Sequence, residues 1–482
     1  MNVFKRKSIY LAVAAGLGAV GMVGTASAVN VNSNGTGEVL IYPYYSVRGG
    51  TDTYLSVVNT TNSAKAVKVR FTEGRNSREV LDFNLYLSAR DVWAGAVVAT
   101  TDGAKLITSD KSCTYPVIPA TGQDFVNYAY AGSTVTPGIV DSGGDGAGST
   151  LDRTREGYFE IIEMGVITSA AVVTAVTHTS AGVPANCAVV QTTAMTMDAA
   201  GTNPVVAPTG GLAGTASLLN GAAGTDFGYD PVALADFSTA NIWFAAGDIR
   251  PDMRSALPTT SRVFKGGSVI TTDWTGSTGN AAVNAVSAVL MHDNVINEYV
   301  LDTTTLSNTD WVVTMPTKRY YVPVVGNAEV AIAPFTQEFA ATGACETVTL
   351  NYWDREEQTV TTTVDFSPPP PGAPASSLCW ESTVVTFNAV TTGVSNVLGS
   401  TNSVNIPVNF ENGWARIAFA QTYASLAAAG NSPAGAHTYV GLPVTGFMVQ
   451  DFVNGNVGGV LSNYGGNFNH KFTTLINGSS AE

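Results

Sequence analysis

The 482-residue chain carries 37 Asp and Glu against 23 Lys and Arg, a formal charge of −14, which disfavours nucleic acid and anionic lipid as partners. Only 12% of residues are charged while 45% are hydrophobic, an ordinary globular content that argues against disorder. The length suits two or three domains.

The first residues have the layout of a secretory signal: Lys5, Arg6 and Lys7, an apolar stretch from Ile9 to about Val23, then Ala26-Ser27-Ala28. The apolar stretch contains Gly16, Gly18, Gly21 and Gly24 and is shorter than a membrane span requires. Residues 1–28 therefore read as an export signal cleaved after Ala28. The mature chain keeps 20 Lys and Arg against 37 Asp and Glu, a formal charge of −17.

The mature region opens on "GEVLIYPYYSVRGGTDTYLSVVNTT", two apolar runs around Gly49 and Gly50 that predict a hairpin. Tyr42, Tyr44 and Tyr45 flank Pro43, which cannot donate within a central ladder, so this segment is expected at a sheet edge. Exposed there, the tyrosines would suit sugar stacking or assembly. In "KAVKVRF", Val67, Val69 and Phe71 alternate with Lys68 and Arg70. In "EVLDFNLYLS", Leu81, Phe83, Leu85 and Leu87 alternate with Asp82, Asn84 and Tyr86. Such alternation predicts antiparallel strands with one buried and one wet face. Ser88 and Asp91 have capping-box spacing and predict a short helix over "SARDVWAGAVV". Nine of the mature chain's basic residues fall between Arg48 and Lys111 and none between Glu156 and Asp248, so a charged amino-terminal face precedes a nearly uncharged middle.

In "GIVDSGGDG", Asp141 stands as in half of an aspartic protease site, where two carboxylates share a proton. The second loop is lacking: "YVLDTTT", with Asp302, has no glycine. The glycine content favours a surface loop. Asp141, Asp145 and Asp152 offer oxygen ligands for calcium, without the spacing of a calcium loop.

Further strands are predicted at "EGYFEIIEMGVI", "DWVVTMPTKRYYVPVV", "CETVTLNYW", "QTVTTTVDF", "STVVTFNAV" and "ARIAFAQTY". "NAAVNAVSAVLMHDNVINEYVLD" fits either a helix or a buried strand. "LNYWDREEQ" offers Trp353 and Arg355 for binding or assembly, or a solvated turn with an anchoring Trp. Four cysteines after export permit three pairings. Cys113 with Cys187 and Cys345 with Cys379 is favoured, because each pair then staples its own half. The proline run at 367–374 would then be a loop inside the second disulfide. With no Cys-x-x-Cys and only His178, His292, His437 and His470, a zinc site is disfavoured, and the single His178 and His292 in apolar contexts read as structural. Phosphate-binding glycine loops, a nucleophile elbow and the "HExxH" pattern are all missing, so no cofactor or metal is expected.

As a set, "GEVLIYPYYSVRGG", "TREGYFEIIEMG", "GVPANC", "TDWVVTMPTKR" and "PVTGFMVQDFVNG" resemble segments of a group of uncharacterised exported proteobacterial cell-surface proteins. The resemblance implies a Gram-negative exterior or periplasm and supplies no site residues.

The expected fold is all-β and mainly antiparallel, with two or more Ig-like β-sandwich domains and few short helices, divided as 29–200 and 201–482. The expected function is that of a secreted, non-enzymatic structural or adhesive protein that meets its own copies, other surface proteins or polysaccharide. Self-association by strand addition would use the segment from Val29 to Tyr45. The competing expectations are an outer-membrane β-barrel and a secreted hydrolase using Asp141.

Overall fold

A computed structural model describes residues 27–132, 143–191, 205–326, 329–359, 377–419, 425–428 and 436–477. The architecture is all-β and mainly antiparallel, built from several separate sheets. The largest sheet orders Asn30–Val31, Val232–Ala235, Val39–Ser46, Glu156–Ile167, Lys65–Glu73, Glu79–Leu87 and Cys113–Tyr115, with Val205–Val206 alongside Glu156–Ile167. A second sheet orders Thr225–Tyr229, Leu212–Asn220, Asp52–Asn59, Val92–Ala99, Ala104–Ile107 and Gln123–Asp124. Their facing side chains, among them Val67, Val69, Phe71 and Phe159 from one sheet and Leu55, Val57, Trp93 and Leu218 from the other, share one core and make a sandwich.

A third sheet orders Ser403–Ile406, Ser382–Phe387, Ser307–Thr314, Thr445–Val457 and Val460–Asn469, with one parallel pair between the first two. The fourth orders Thr349–Asp354, Asn412–Ala418, Asn294–Val300 and Lys471–Thr473. Trp311, Val313 and Phe387 of the third meet Val295, Tyr299 and Ile417 of the fourth. The intervening residues Val312 and Val384 point the other way, into the core of the first sandwich. Ser307–Thr314 is therefore a strand with both faces covered, which explains the unbroken apolar run "WVV".

Strands between 205 and 235 belong to the first two sheets, and both cores mix residues from the two halves. No sheet closes on itself among the described residues, since the strands at the two ends of each order are not paired, so the architecture is not that of a barrel.

The expected opening hairpin is absent as a paired unit. Val39–Ser46 pairs with Glu156–Ile167 and Val232–Ala235, whereas Asp52–Asn59 pairs with Leu212–Asn220 and Val92–Ala99. Gly49 and Gly50, at φ of 60° and 82°, carry the chain from one sheet to the other through a conformation that Gly adopts at least cost. The short helix expected after Ser88 is also absent: Val92–Ala99 is a strand. The Ser88–Asp91 hydrogen bonds exist, at 3.0 Å from the Ser88 amide to Asp91 Oδ2, but they close a turn with Arg90 at φ 59°.

The alternation in "KAVKVRF" marks two covered faces rather than one wet face. Lys68 and Arg70 are buried, because the chain from Phe244 to Asp252 lies across them. Lys68 Nζ donates to Asp82 Oδ2 (2.6 Å) and to the Asp248 carbonyl (3.0 Å), and Arg70 Nη1 pairs with Glu160 (2.8 Å). The ambiguous segment from 280 is both things in turn. Asn280 caps a buried helix, Ala281–Val289, by accepting from the Ala282 and Val283 amides, and the strand Asn294–Val300 follows.

Candidate functional site

Both favoured disulfides are present: Cys113–Cys187 ties the rim of the largest sheet to a short 3-10 turn, and Cys345–Cys379 ties the chain beside the third and fourth sheets. They place the folded chain in an oxidising environment, extracellular or periplasmic. No helix among the described residues is long and apolar enough to cross a membrane.

The tyrosines expected at an edge lie inside. Tyr42, Tyr44 and Tyr45 are fully buried on a central strand, and Pro43 falls where the ladder shifts register between Gly157 and Phe159. That irregularity spares the missing proline donor. Each hydroxyl is satisfied internally: Tyr42 donates to the Ser56 carbonyl (2.7 Å), Tyr44 to Glu156 Oε2 (3.0 Å) and Tyr45 to the Thr154 carbonyl (3.1 Å). The three rings are therefore core residues, closed to sugar or partner. Of the segment Val29–Tyr45, only Asn30–Val31 lies at the sheet's end.

The carboxylates resolve similarly. Asp141 and the proline run 367–374 lie outside the described residues. Asp145 is buried against the Arg153 guanidinium (2.7 Å), which also pairs with Glu73 (2.9 Å), and Asp152 pairs with Arg48 (2.8 Å). Arginine thus occupies the positions that calcium would need, and Asp145 is held below the usual carboxylate range despite its burial. Asp302 is a half-buried residue just before a turn, accepting from the Thr304 amide (2.7 Å).

This ion-pair cluster belongs to a polar seam between the sandwich and the third sheet. Glu156 accepts from Arg48 Nε (2.8 Å), the Thr401 hydroxyl (2.8 Å) and the Ser400 hydroxyl, and the Ser77 hydroxyl donates to Glu381 (2.8 Å). Thr314 donates to the Pro43 carbonyl (2.6 Å) and Tyr158 to that of Pro316 (3.1 Å). Burial pushes the carboxyls of Glu160 and Glu381 up to about 7. Perturbed carboxyls can mark active sites. Both are sealed at 1% exposure: Glu160 faces Arg70 of the neighbouring strand, and Glu381 accepts from Ser77 across the seam, where it docks the third sheet on the sandwich.

The histidines also have defined partners. His178 faces Asp91 at 3.5 Å, so its surroundings are polar rather than apolar. His470 is enclosed between Asn297 and the Val312 carbonyl, and burial drops it to about 4. His292, likewise near 4 through burial, stacks on Phe472 with ring centroids 4.2 Å apart. It borders a cleft of about 570 Å³ walled by Val31, Arg262, Phe264, Met291 and Phe472. The wall is mainly apolar, and a neutral imidazole there is a hydrogen-bonding group, held by Thr474 at 3.2 Å. No group of three or more His, Cys, Asp or Glu among the described residues could hold a metal ion.

Two features remain at the surface. Trp353, at the end of an edge strand, stacks on Trp414, while Arg355 is exposed in the turn beyond. The other is the end strand of the third sheet, Val460–Asn469, which sequence reading passed over because its Gly and Asn content resembles a loop. It pairs with Thr445–Val457 on one side only, and Val460, Leu461, Tyr464 and Phe468 are exposed. The signal that could have found it is the aliphatic and aromatic spacing in "VLSNYGGNFN" after a Gly458-Gly459 turn.

No family model matches the sequence, and neither a curated protein nor a solved structure is similar to it.

Proposed function

We propose that the chain is an exported, non-enzymatic exterior component that joins copies of itself by strand addition at Val460–Asn469. The supporting observation is the chemistry of that edge. Soluble proteins guard a free strand edge with Lys, other charges, Pro or a very short strand. Here ten residues run with no Lys, Arg, Asp, Glu or Pro, and with Val460, Tyr464 and Phe468 at 67%, 62% and 50% exposure. Backbone groups along such an edge are satisfied by another strand at the cost of little reorganisation, and apolar neighbours add burial. The two disulfides suit a durable part outside the cytoplasm, and the resemblance to exported cell-surface proteins points the same way.

The test is sedimentation and electron microscopy of the purified mature protein beside a Tyr464→Lys/Phe468→Lys variant. The expected outcome is concentration-dependent association that the variant abolishes while its thermal melting stays unchanged. A wild-type chain that remains monomeric at high concentration would overturn the reading.

A further inference from the structure

The fourth sheet has a buried face and an exposed one. Leu350, Tyr352, Ala415 and Ile417 point into the core, whereas Asn351, Trp353, Trp414 and Arg416 point out. Register sets these outward residues in rows: Trp353 lies opposite Trp414 and then Glu298, and Asn351 opposite Arg416, Ile296 and Lys471. The two indoles stack with centroids 4.1 Å apart and planes at 14°. Stacking uses one face of each ring, and Trp414 remains 38% exposed.

The two stacked indoles offer an aromatic platform on this outward face, and the polar residues beside them narrow what it fits. Arg416 Nη2 donates to Asn351 Oδ1 at 3.0 Å, and the guanidinium lies 5.8 Å from the Trp353 ring centroid. Arg416 has no carboxylate partner among the described residues, and its Nε, shielded from water, has no acceptor. In a chain of net charge −14 that pairs so many of its arginines with carboxylates, a cation left beside an aromatic stack is fitted to an incoming anion.

We infer that this face binds an acidic saccharide, with one pyranose ring stacked on Trp414 and its anionic group on Arg416. A pyranose presents an apolar C–H face to an indole, while its hydroxyls reach side-chain amides and carboxylates such as Asn351 and Glu298. Residues two apart on one strand are separated by roughly 6.8 Å, so a sugar on Trp414 places a ring carboxylate within reach of Arg416. Lys471, two strands from Arg416 in the same row, extends the positive charge towards the next sugar unit. This site stands apart from the Val460–Asn469 edge, and either can fail without the other.

Titration calorimetry and tryptophan fluorescence with oligogalacturonate and heparin fragments test it, with a neutral glucan oligomer of equal length as the third ligand. At least one acidic oligomer is expected to bind and quench fluorescence, with affinity falling as salt rises. Trp414→Ala and Arg416→Gln should each weaken binding by roughly tenfold or more, a loss of about 1.4 kcal/mol, with melting temperature and circular dichroism retained. Binding of neither acidic oligomer at millimolar concentration, equal binding of the neutral glucan, or undiminished binding by Trp414→Ala would each overturn the inference.

Discussion

The first sandwich and the carboxy-terminal hairpin handle strand surfaces in opposite ways. In the sandwich, Glu156–Ile167 is buried along its whole length, and the charges around it are answered by opposite charges, as in Lys65 with Glu163 at 2.6 Å. At the hairpin, Val460–Asn469 has no charge at all and half its ladder is unanswered among the described residues. The difference is one of chemistry: in the sandwich charge serves internal docking, whereas the end strand of the hairpin carries none.

The largest effect that would break the contrast comes from the sandwich. Arg153→Ala leaves Glu73 and Asp145 buried without their cation and should cost about 3 to 5 kcal/mol, read as a shift in the urea midpoint. If the cost is near zero, water or another cation reaches the cluster and the seam is not sealed. Next, replacing Cys113 and Cys187 by Ser frees a loop of sequence separation 74 and should cost up to about 4 kcal/mol by chain entropy, measured the same way.

A smaller effect sharpens the picture of the buried acids. Burial raises Glu38, Glu79, Glu160 and Glu381 to about 7, so the folded state holds these protons more tightly than the unfolded chain does. Their stabilising contribution is fully present below the unfolded carboxyl range and is lost as pH rises through 7. His292 and His470, lowered to about 4, act oppositely and cost stability as pH falls from 6.5 towards 4. With these four acids and Asp451, which burial raises to about 6, set against two bases, melting temperature should be higher near pH 5.5 than at pH 8 by about 5 °C. A flat or reversed profile by calorimetry would show that these carboxyls stay ionised in their ion pairs. The smallest expected effect is Tyr464→Lys, within about 0.5 kcal/mol of wild type by the same unfolding assay, because the side chain is 62% exposed.

Local pattern was legible wherever its cause was local. "EGYFEIIEMGVI" coincides with the strand Glu156–Ile167, and Val67 to Leu87 folds back as the alternation requires, with Lys65 opposite Leu87. What covered each strand was not legible. Lys68 and Arg70 read as solvated because the segment that buries them comes about 180 residues later, at Asp248. The tyrosines around Pro43 read as an edge because proline cannot donate, yet the register shift opposite Gly157 absorbs that loss. Trp353 was singled out, but its stacking partner Trp414 lies on a strand that only the fold brings alongside. For the unguarded edge, the informative signal was an omission, the lack of charge in "VLSNYGGNFN", and omissions are inconspicuous in a chain only 12% charged.

Ser307–Thr314 sends Val313 into one core and Val312 into the other. A fragment ending before it would expose a wall of the first sandwich, and one beginning at it would carry half a wall with nothing to face. The polypeptide should therefore melt in a single cooperative transition, and limited proteolysis should yield no half-molecule that survives by itself.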